Sequence, residues 1–345
     1  MSWLETTFYY QRAKSKPAQY DFENLRERVR ETLESLVARG FVEMGEDLSV
    51  GGTALGRLAS KYYLRLATAE RFHDLCERET ISADAILETV AGATEFDSVS
   101  SRQSESDAVD AVLSDVATDF EDGPRKVLAI LHAGMENSTP ADLRSDAWII
   151  RQNALRLLSA LREFLGEFSG PRAANLARRV EARVEHGVPR DAVGLTAVDG
   201  IGPNRARTLA TGGLHSPADV VDAGVDELER AGLSAGVAAR IVENAREFPA
   251  IEVSWGDFPD RIAPGENAMC DVTVRNAGGG AAAGIRVTVN GVEMSATETY
   301  LSDSTSVPVG VFGADADELE FAVEVTFPDE PLHPVQATRA VDVER

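Results

Sequence analysis

LTAVDGIGPNRARTLATGG, residues 195–213, runs a hydrophobic helix end into Gly200-Ile201-Gly202, then Pro203, then Ala206 and Leu209 at helical spacing. Proline suits the first position of a helix, where its missing N–H is one the helix leaves unpaired anyway. Two glycines flanking one apolar residue let the backbone turn sharply and come close to a ligand. The pattern predicts a helix-hairpin-helix. Gly200 and Gly202 would admit a phosphate to the free N–H groups at the start of the second helix. Arg205 and Arg207, in that helix's first two turns, would add charge-assisted contacts. Such contacts position a strand without reading its sequence. The alternative is a hairpin used only for packing.

Upstream lies a second signal, DLRSDAWIIRQNALRLLSALREFLGEF, residues 142–168. Ala147, Ile150, Ala154, Leu157, Leu161, Leu165 and Phe168 form one helical stripe that reads as core. A second stripe carries Trp148, Arg151, Gln152, Leu155, Ser159 and Arg162, with Arg156 beside it. An aromatic followed by guanidinium groups along one face suits a single strand, because the ring stacks on a base while arginine meets phosphate. The alternative buries Trp148 between helices and pairs the arginines with the acidic segment 105–122. From Arg151 to Arg190 there are eight arginines against four glutamates, a positive island in a chain of formal charge −23. A polyanion is expected there.

Further outward, residues 21–39 place Phe22, Leu25, Val29, Leu33 and Leu36 on one helical stripe. Gly40 ends that helix. FVEMGEDLSVGG reads as a hairpin turning at Gly45-Glu46-Asp47, and TALGRLASKYYLRL as a helix capped by Thr53. Helix, hairpin and helix suggest a winged helix. Residues 80–186 read as several helices, with starts at Thr80, Thr139 and Ser169 and with Pro140 and Pro171 in first turns. The polar stretch 97–107 links two of them. After Pro249 the pattern changes to alternating segments: IEVSW, AMCDVTVRN, GIRVTVNG, TSVPVGVF, LEFAVEVTF and VQATRAVDVE. Turns at Gly278-Gly279-Gly280 and Asn290-Gly291 separate them, as in an immunoglobulin-type β-sandwich.

Composition narrows the function. Two cysteines, Cys76 and Cys270, exclude a disulfide scaffold and offer no metal-ligand spacing. No apolar run reaches the ~18–20 residues of a membrane span, and no signal-peptide core opens the chain, so a cytoplasmic protein is expected. Only Lys14, Lys16, Lys61 and Lys126 are lysines among 34 basic residues, set against 57 acids. A salt-rich cytoplasm favours such a surface, since net charge keeps a protein soluble. A GC-rich genome produces the same bias. Residues 77–122 hold 13 acids against Arg78 and Arg102, and residues 252–345 hold 17 acids against five arginines, so both flanks of the island are acidic. There is no G-x-x-x-x-G-K-[ST] loop, no G-x-S-x-G elbow and no H-E-x-x-H, and the five histidines are scattered. Neither a cofactor nor catalytic residues are expected.

A resemblance joins these pieces. GRLASKYYLRLATAERF (56–72) resembles the Gly-x-x-Ala-Ser-x-Tyr-Tyr segment that closes the winged helix of Ski-two-like superfamily-two helicases. EFDSVSSRQSE (95–105) is similar to their Glu-Phe, Arg and Glu spacing, and SDAWIIRQNALRLLSAL (145–161) to their ratchet helix. TTFYYQRAKSKPAQY (6–20) resembles the linker that leaves their second motor domain. The domain order is that of the Sec-sixty-three homology region, which follows the motor in the spliceosomal unwinding helicase and its relatives. The resemblance implies a strand lying across the ratchet helix, touched by Trp148, Arg151 and Arg156 with Gln152 beside them. It implies that Gly200, Gly202 and Arg205 take the downstream strand. Gly56, Ser60, Tyr62 and Tyr63 would be structural, as would Glu95 and Phe96, with Arg102 and Glu105 as an internal ion pair. The motor that binds ATP is missing from this sequence, which suggests the C-terminal piece of a split or truncated helicase, or a stand-alone accessory protein. The membrane-translocation role of the protein that names the region is not expected, for want of a span or a J-type segment.

The expected architecture is therefore multidomain and mostly α, followed by an all-β sandwich. A linker (1–20), a winged helix (21–76), a ratchet bundle (77–190), a helix-hairpin-helix (191–248) and an immunoglobulin-like domain (249–345) follow in that order. The expected function is a non-catalytic module that binds single-stranded DNA or RNA and works with a superfamily-two helicase motor. The alternative is a protein-protein scaffold that uses the acidic sandwich and the winged helix.

Overall fold

The computed structural model describes residues 2–46, 49–313 and 317–344. They fall into two units, Met1–Ala69 and Glu70–Arg345.

In the first unit, short helices α1 (Ser2–Glu5), α2 (Phe8–Ser15) and α3 (Pro17–Tyr20) precede α4 (Leu25–Ala38). Strands β1 (Val42–Met44) and β2 (Val50–Gly52) pair antiparallel, and α5 (Ala54–Lys61) follows. Of the expected turn, Gly45 and Glu46 are described while Asp47 lies outside the described residues. Thr53 caps α5 as expected: its hydroxyl accepts from the Gly56 N–H at 3.0 Å and donates to the Gly40 carbonyl at 2.6 Å. The stripe on α4 is only partly covered, with Leu25 buried and Val29 exposed. Tyr63, expected to pack, is instead 91% exposed and sits at φ 52°.

Helix α6 (Leu66–Cys76) begins in the first unit and ends in the second. The second unit continues with α7 (Ala83–Ala91), α8 (Ser106–Val112), α9 (Asp122–Met135), the 26-residue α10 (Arg144–Ser169) and α11 (Pro171–His186). Three expected helix starts move. The cap of α7 is Ser82, which accepts from the Ala85 N–H at 3.1 Å, rather than Thr80. A single 3-10 turn (Ala141–Leu143) after Pro140 delays α10 to Arg144. Ser169 is the last residue of α10, and Gly170 at φ 86° reverses the chain so that Pro171 opens α11. The core stripe of α10 is buried from Ala147 to Leu165.

The expected Arg102–Glu105 pair is present at 3.2 Å, but the buried partner of Glu105 is Lys126. Both Lys126 and Glu105 are 1% exposed. The Lys126 ammonium donates to Glu105 (3.0 Å), Asp146 (2.5 Å) and the Ser100 carbonyl (3.3 Å). All three of its protons therefore have acceptors, as a buried ammonium requires. The network ties α9 to α10 and to the polar 97–107 segment. Burial alone would raise the Glu105 carboxyl, but bonds and charge from Lys126 and Arg102 hold it below its ordinary range. The bond from Lys126 does the same for Asp146.

After a 3-10 stretch (Arg190–Ala197) come α12 (Pro203–Thr211), α13 (Pro217–Arg230) and α14 (Ala235–Ala245). Among the described residues eight strands follow: β3 (Ile251–Ser254), β4 (Arg261–Ile262), β5 (Asn267–Asn276), β6 (Ala281–Val289), β7 (Val292–Leu301), β8 (Ser304–Phe312), β9 (Glu318–Thr326) and β10 (Val335–Val343). They form one sheet in the order β4-β10-β9-β6-β7 and another in the order β3-β5-β8. Buried residues of both, among them Val272, Val309, Ile285, Phe321 and Val323, share one core. Asn290 (φ 47°) and Gly291 (φ 79°) make the two-residue turn of the β6–β7 hairpin.

The strands do not stand apart from the helices. Asn175 of α11 is fully buried, and its amide donates toward the Phe327, Glu330 and Leu332 carbonyls at 2.8–3.1 Å. Gly284 of β6 has no side chain because a Cβ there would overlap the Pro171 ring. The arginine-rich part of α11 also faces this junction. Arg172 pairs with Glu324 (2.9 Å), Arg178 donates to the Asp329 carbonyl (3.2 Å), and Arg179 meets His333 (3.1 Å). Much of the expected polyanion island is thus turned inward.

Candidate nucleic-acid interface

Helix α10 decides between the two readings of Trp148. The stripe from Ala147 to Leu165 packs into the bundle, and Trp148 is left 70% exposed. The interhelical alternative is therefore not what the fold adopts. Gln152 and Arg156 are exposed on the same side at the next two turns. Ile149, 53% exposed, and Asn153 join them. The sequence reading passed over these two, although 100° per residue places 149 and 153 next to 152 and 156.

Arg151 turns the other way. Its guanidinium donates to the Val184 carbonyl at 2.7 Å and the Glu185 carbonyl at 3.2 Å, at the C-terminal end of α11. A cation there satisfies carbonyls that the helix leaves unpaired and meets the negative end of its dipole. Arg207 of α12 reaches the same helix end from the other side, donating to the Gly187 carbonyl and to Asn204 (3.2 Å). Arg151 and Arg207 are thus brought together as braces on the end of α11. They link α10 to the hairpin rather than facing outward.

A helix opens at Pro203 as expected, but the segment before the glycines is the 3-10 stretch Arg190–Ala197 rather than the end of an α-helix. Gly200 lies at φ 92°, a left-handed conformation open to glycine, and a Cβ there would sit 3.2 Å from Ile241. Ile201 is buried between the two glycines, and a Cβ on Gly202 would meet nothing within 4 Å. Gly202 is the N-cap of α12, with Pro203 next. The N–H groups of Asn204 and Arg205 fall in the first turn, where no helical carbonyl reaches them. Arg205 closes the loop on itself, its guanidinium donating to the Gly200 carbonyl at 2.6 Å. Asn244 of α14 bonds the Asp199 carbonyl at 2.9 Å and holds the loop from behind.

Among the described residues, no group of three His, Cys, Asp or Glu side chains is placed to hold a metal ion, and no helix is long and apolar enough to cross a membrane. The arrangement offers an exposed aromatic with amide and guanidinium neighbours on a rigid helix, and an open glycine loop at a helix start.

The chain is similar to several known proteins. DExH-box ATP-dependent RNA helicase DExH12 of Arabidopsis thaliana is 26% identical over 297 residues, 79% of this chain but 13% of that protein. Activating signal cointegrator 1 complex subunit 3 of Homo sapiens is 25% identical over 208 residues, 53% of this chain and 9% of that protein. The ATP-dependent DNA helicase Hel308 of Pyrobaculum calidifontis is 30% identical over 241 residues, 66% of this chain and 34% of that protein. The chain therefore spans between about a tenth and a third of these relatives. The Sec63 Brl domain matches residues 52–341, so the chain belongs to the Sec63 Brl domain family, homologous to part of the Ski2-like helicases.

Proposed function

We propose that this chain is a non-catalytic, helicase-associated module that guides a single strand of nucleic acid across α10 and the Gly200–Gly202 hairpin. A superfamily-two ATP-dependent helicase motor supplies the movement. Trp148 carries the reading: an indole 70% exposed on a 26-residue helix contributes little to the core and is free to stack on a base. Gln152 and Arg156 continue the track along the same face. Gly202 and the first-turn N–H groups of α12 take a phosphate further on, with Arg205 holding the loop and Arg151 and Arg207 fixing the two elements to one helix end. The relatives named as helicases support the motor partner. Residues 21–76 act as a winged helix, 77–190 as the ratchet bundle, 191–248 as the helix-hairpin-helix and 249–345 as an immunoglobulin-like sandwich. A charge of −23 with four lysines supports a salt-rich cytoplasm as the working medium.

The test is fluorescence anisotropy of labelled single- and double-stranded oligonucleotides, DNA and RNA, titrated with the purified chain in concentrated KCl. Preference for the single strand is the expected result. Absence of binding to every form overturns the reading and favours the scaffold alternative, for which the exposed Met269 and Phe312 on the β5–β8 sheet are the place to look.

A further inference from the structure

The junction between α11 and the strand region encloses a cleft of about 540 Å³ that the strand track does not use. The N-terminal turns of α11, the segment after α6 and the start of β10 line it. Its charges do not cancel. Arg78 and Glu79, neighbours in sequence and both exposed, are among its lining residues. Arg172 is matched by Glu324 at 2.9 Å, and Glu324 also accepts from Gln336 at 2.7 Å. Arg179 and Arg190 have no carboxylate within ion-pair distance among the described residues.

The partner of Arg179 is neutral, and the geometry says why. One ring nitrogen of His333, Nε2, lies 2.8 Å from the Arg190 carbonyl, which can only accept, so Nε2 carries the proton. The other nitrogen, Nδ1, then accepts from Arg179 at 3.1 Å. Burial, with the charges of Arg179 and Arg190, keeps the His333 imidazole below its ordinary pKa and hence uncharged at neutral pH. The Nε of Arg179 is buried with no hydrogen-bond partner. Burial and the neighbouring arginines pull the Arg179 guanidinium down to about 10, so it remains a cation at neutral pH. Four arginines line the cleft against two carboxylates, and the Glu324 carboxylate that attracts Arg179 is already paired with Arg172, so the cleft favours an anion.

We propose that this cleft binds a phosphoryl group through Arg179 and Arg190, with Arg172 and the first turn of α11 at its edge. A planar guanidinium matches two phosphate oxygens at once, and the N-terminal end of α11 adds free N–H groups. The phosphoryl group can come from a small soluble anion such as a nucleotide's phosphate chain, or from the 5′ end of a strand. The site is separate from the α10 track, so either proposal can stand without the other.

Calorimetric titration of the full chain with pyrophosphate is the test, with a 5′-phosphorylated and a 5′-hydroxyl oligonucleotide compared in parallel. Expected is pyrophosphate binding weakened about tenfold or more by Arg190→Gln, since a charge-assisted bond is lost. The Arg190 side chain is exposed, so the melting temperature should hold. Arg179→Gln should weaken binding similarly, and Arg230→Gln, an exposed arginine on α13, should leave it unchanged. If pyrophosphate fails but the 5′-phosphorylated strand outbinds the 5′-hydroxyl strand, and Arg190→Gln abolishes that difference, the site stands with a strand end as its ligand. Absence of both effects, or equal weakening by Arg230→Gln, overturns the proposal.

Discussion

Replacing Trp148 with alanine separates strand recognition from stability, and Arg151 is its natural counterpart. Trp148 is 70% exposed, so its truncation changes folding free energy by no more than about 0.5 kcal/mol. Stacking of an aromatic on a base is worth about 1–3 kcal/mol, which corresponds to about 5- to 150-fold in Kd. Arg151→Ala should behave in the opposite way. It removes two bonds from a charged donor to the Val184 and Glu185 carbonyls, and with them the cation at the end of α11. Such bonds contribute about 1.5–3 kcal/mol. At about 2–4 °C per kcal/mol for a unit of this size, Arg151→Ala should melt several degrees lower. Sequence pattern alone treats the two residues as equivalent strand contacts; their hydrogen bonding does not. The assay pairs anisotropy of a labelled single strand with thermal melts of the same preparations. If Trp148→Ala lowers Tm as far as Arg151→Ala while binding holds, Trp148 is a packing residue and the track reading is wrong.

Lys126→Met should destabilise the second unit by about 3–5 kcal/mol in denaturant titrations, because it strands the Glu105 carboxylate, 1% exposed, without its cation. Adding Glu105→Gln should recover part of that loss. The same network makes a pH prediction. Glu105 and Asp146 both titrate below their ordinary values of 4.5 and 3.8. Their contribution is complete above pH 4.5 and is lost as pH falls through the depressed values, so Tm should drop in acid more steeply for the wild type than for the double variant. Glu181 and Glu330, raised by burial, act in the other direction in both proteins and cancel in the comparison. Gly284→Ala should cost about 1–3 kcal/mol in chemical denaturation, since its Cβ would overlap Pro171.

The strand region bears on the scaffold alternative as well. Removing residues 249–345 would uncover Asn175, whose amide is held by three carbonyls of that region, and the arginines of α11 beside it. A deletion variant therefore tests the stability of the junction before it tests any partner, and point changes at Met269 and Phe312 are the cleaner probe.

Local chemistry in the sequence was enough for much of this protein. Gly200, Gly202 and Pro203 specify a turn and a helix start through backbone freedom and a missing N–H, and neither depends on distant residues. The 3.6-residue stripe of α10 and the two-residue alternation of β5, β8 and β9 identify core faces for the same local reason. Strand β7 escaped because it is an edge strand with mostly exposed residues, so no apolar alternation marks it. Its only local cue is the Asn290-Gly291 turn, which demands a returning strand. What tertiary structure alone decided is where each arginine points. Arg151, Arg156, Arg179 and Arg207 are alike as letters. One caps the end of α11, one lies on the open face of α10, one enters a cleft beside a neutral histidine, and one closes on Gly187. A guanidinium on a flexible stem goes to whatever acceptor the fold brings within reach, and those acceptors are carbonyls and carboxylates far away in the chain.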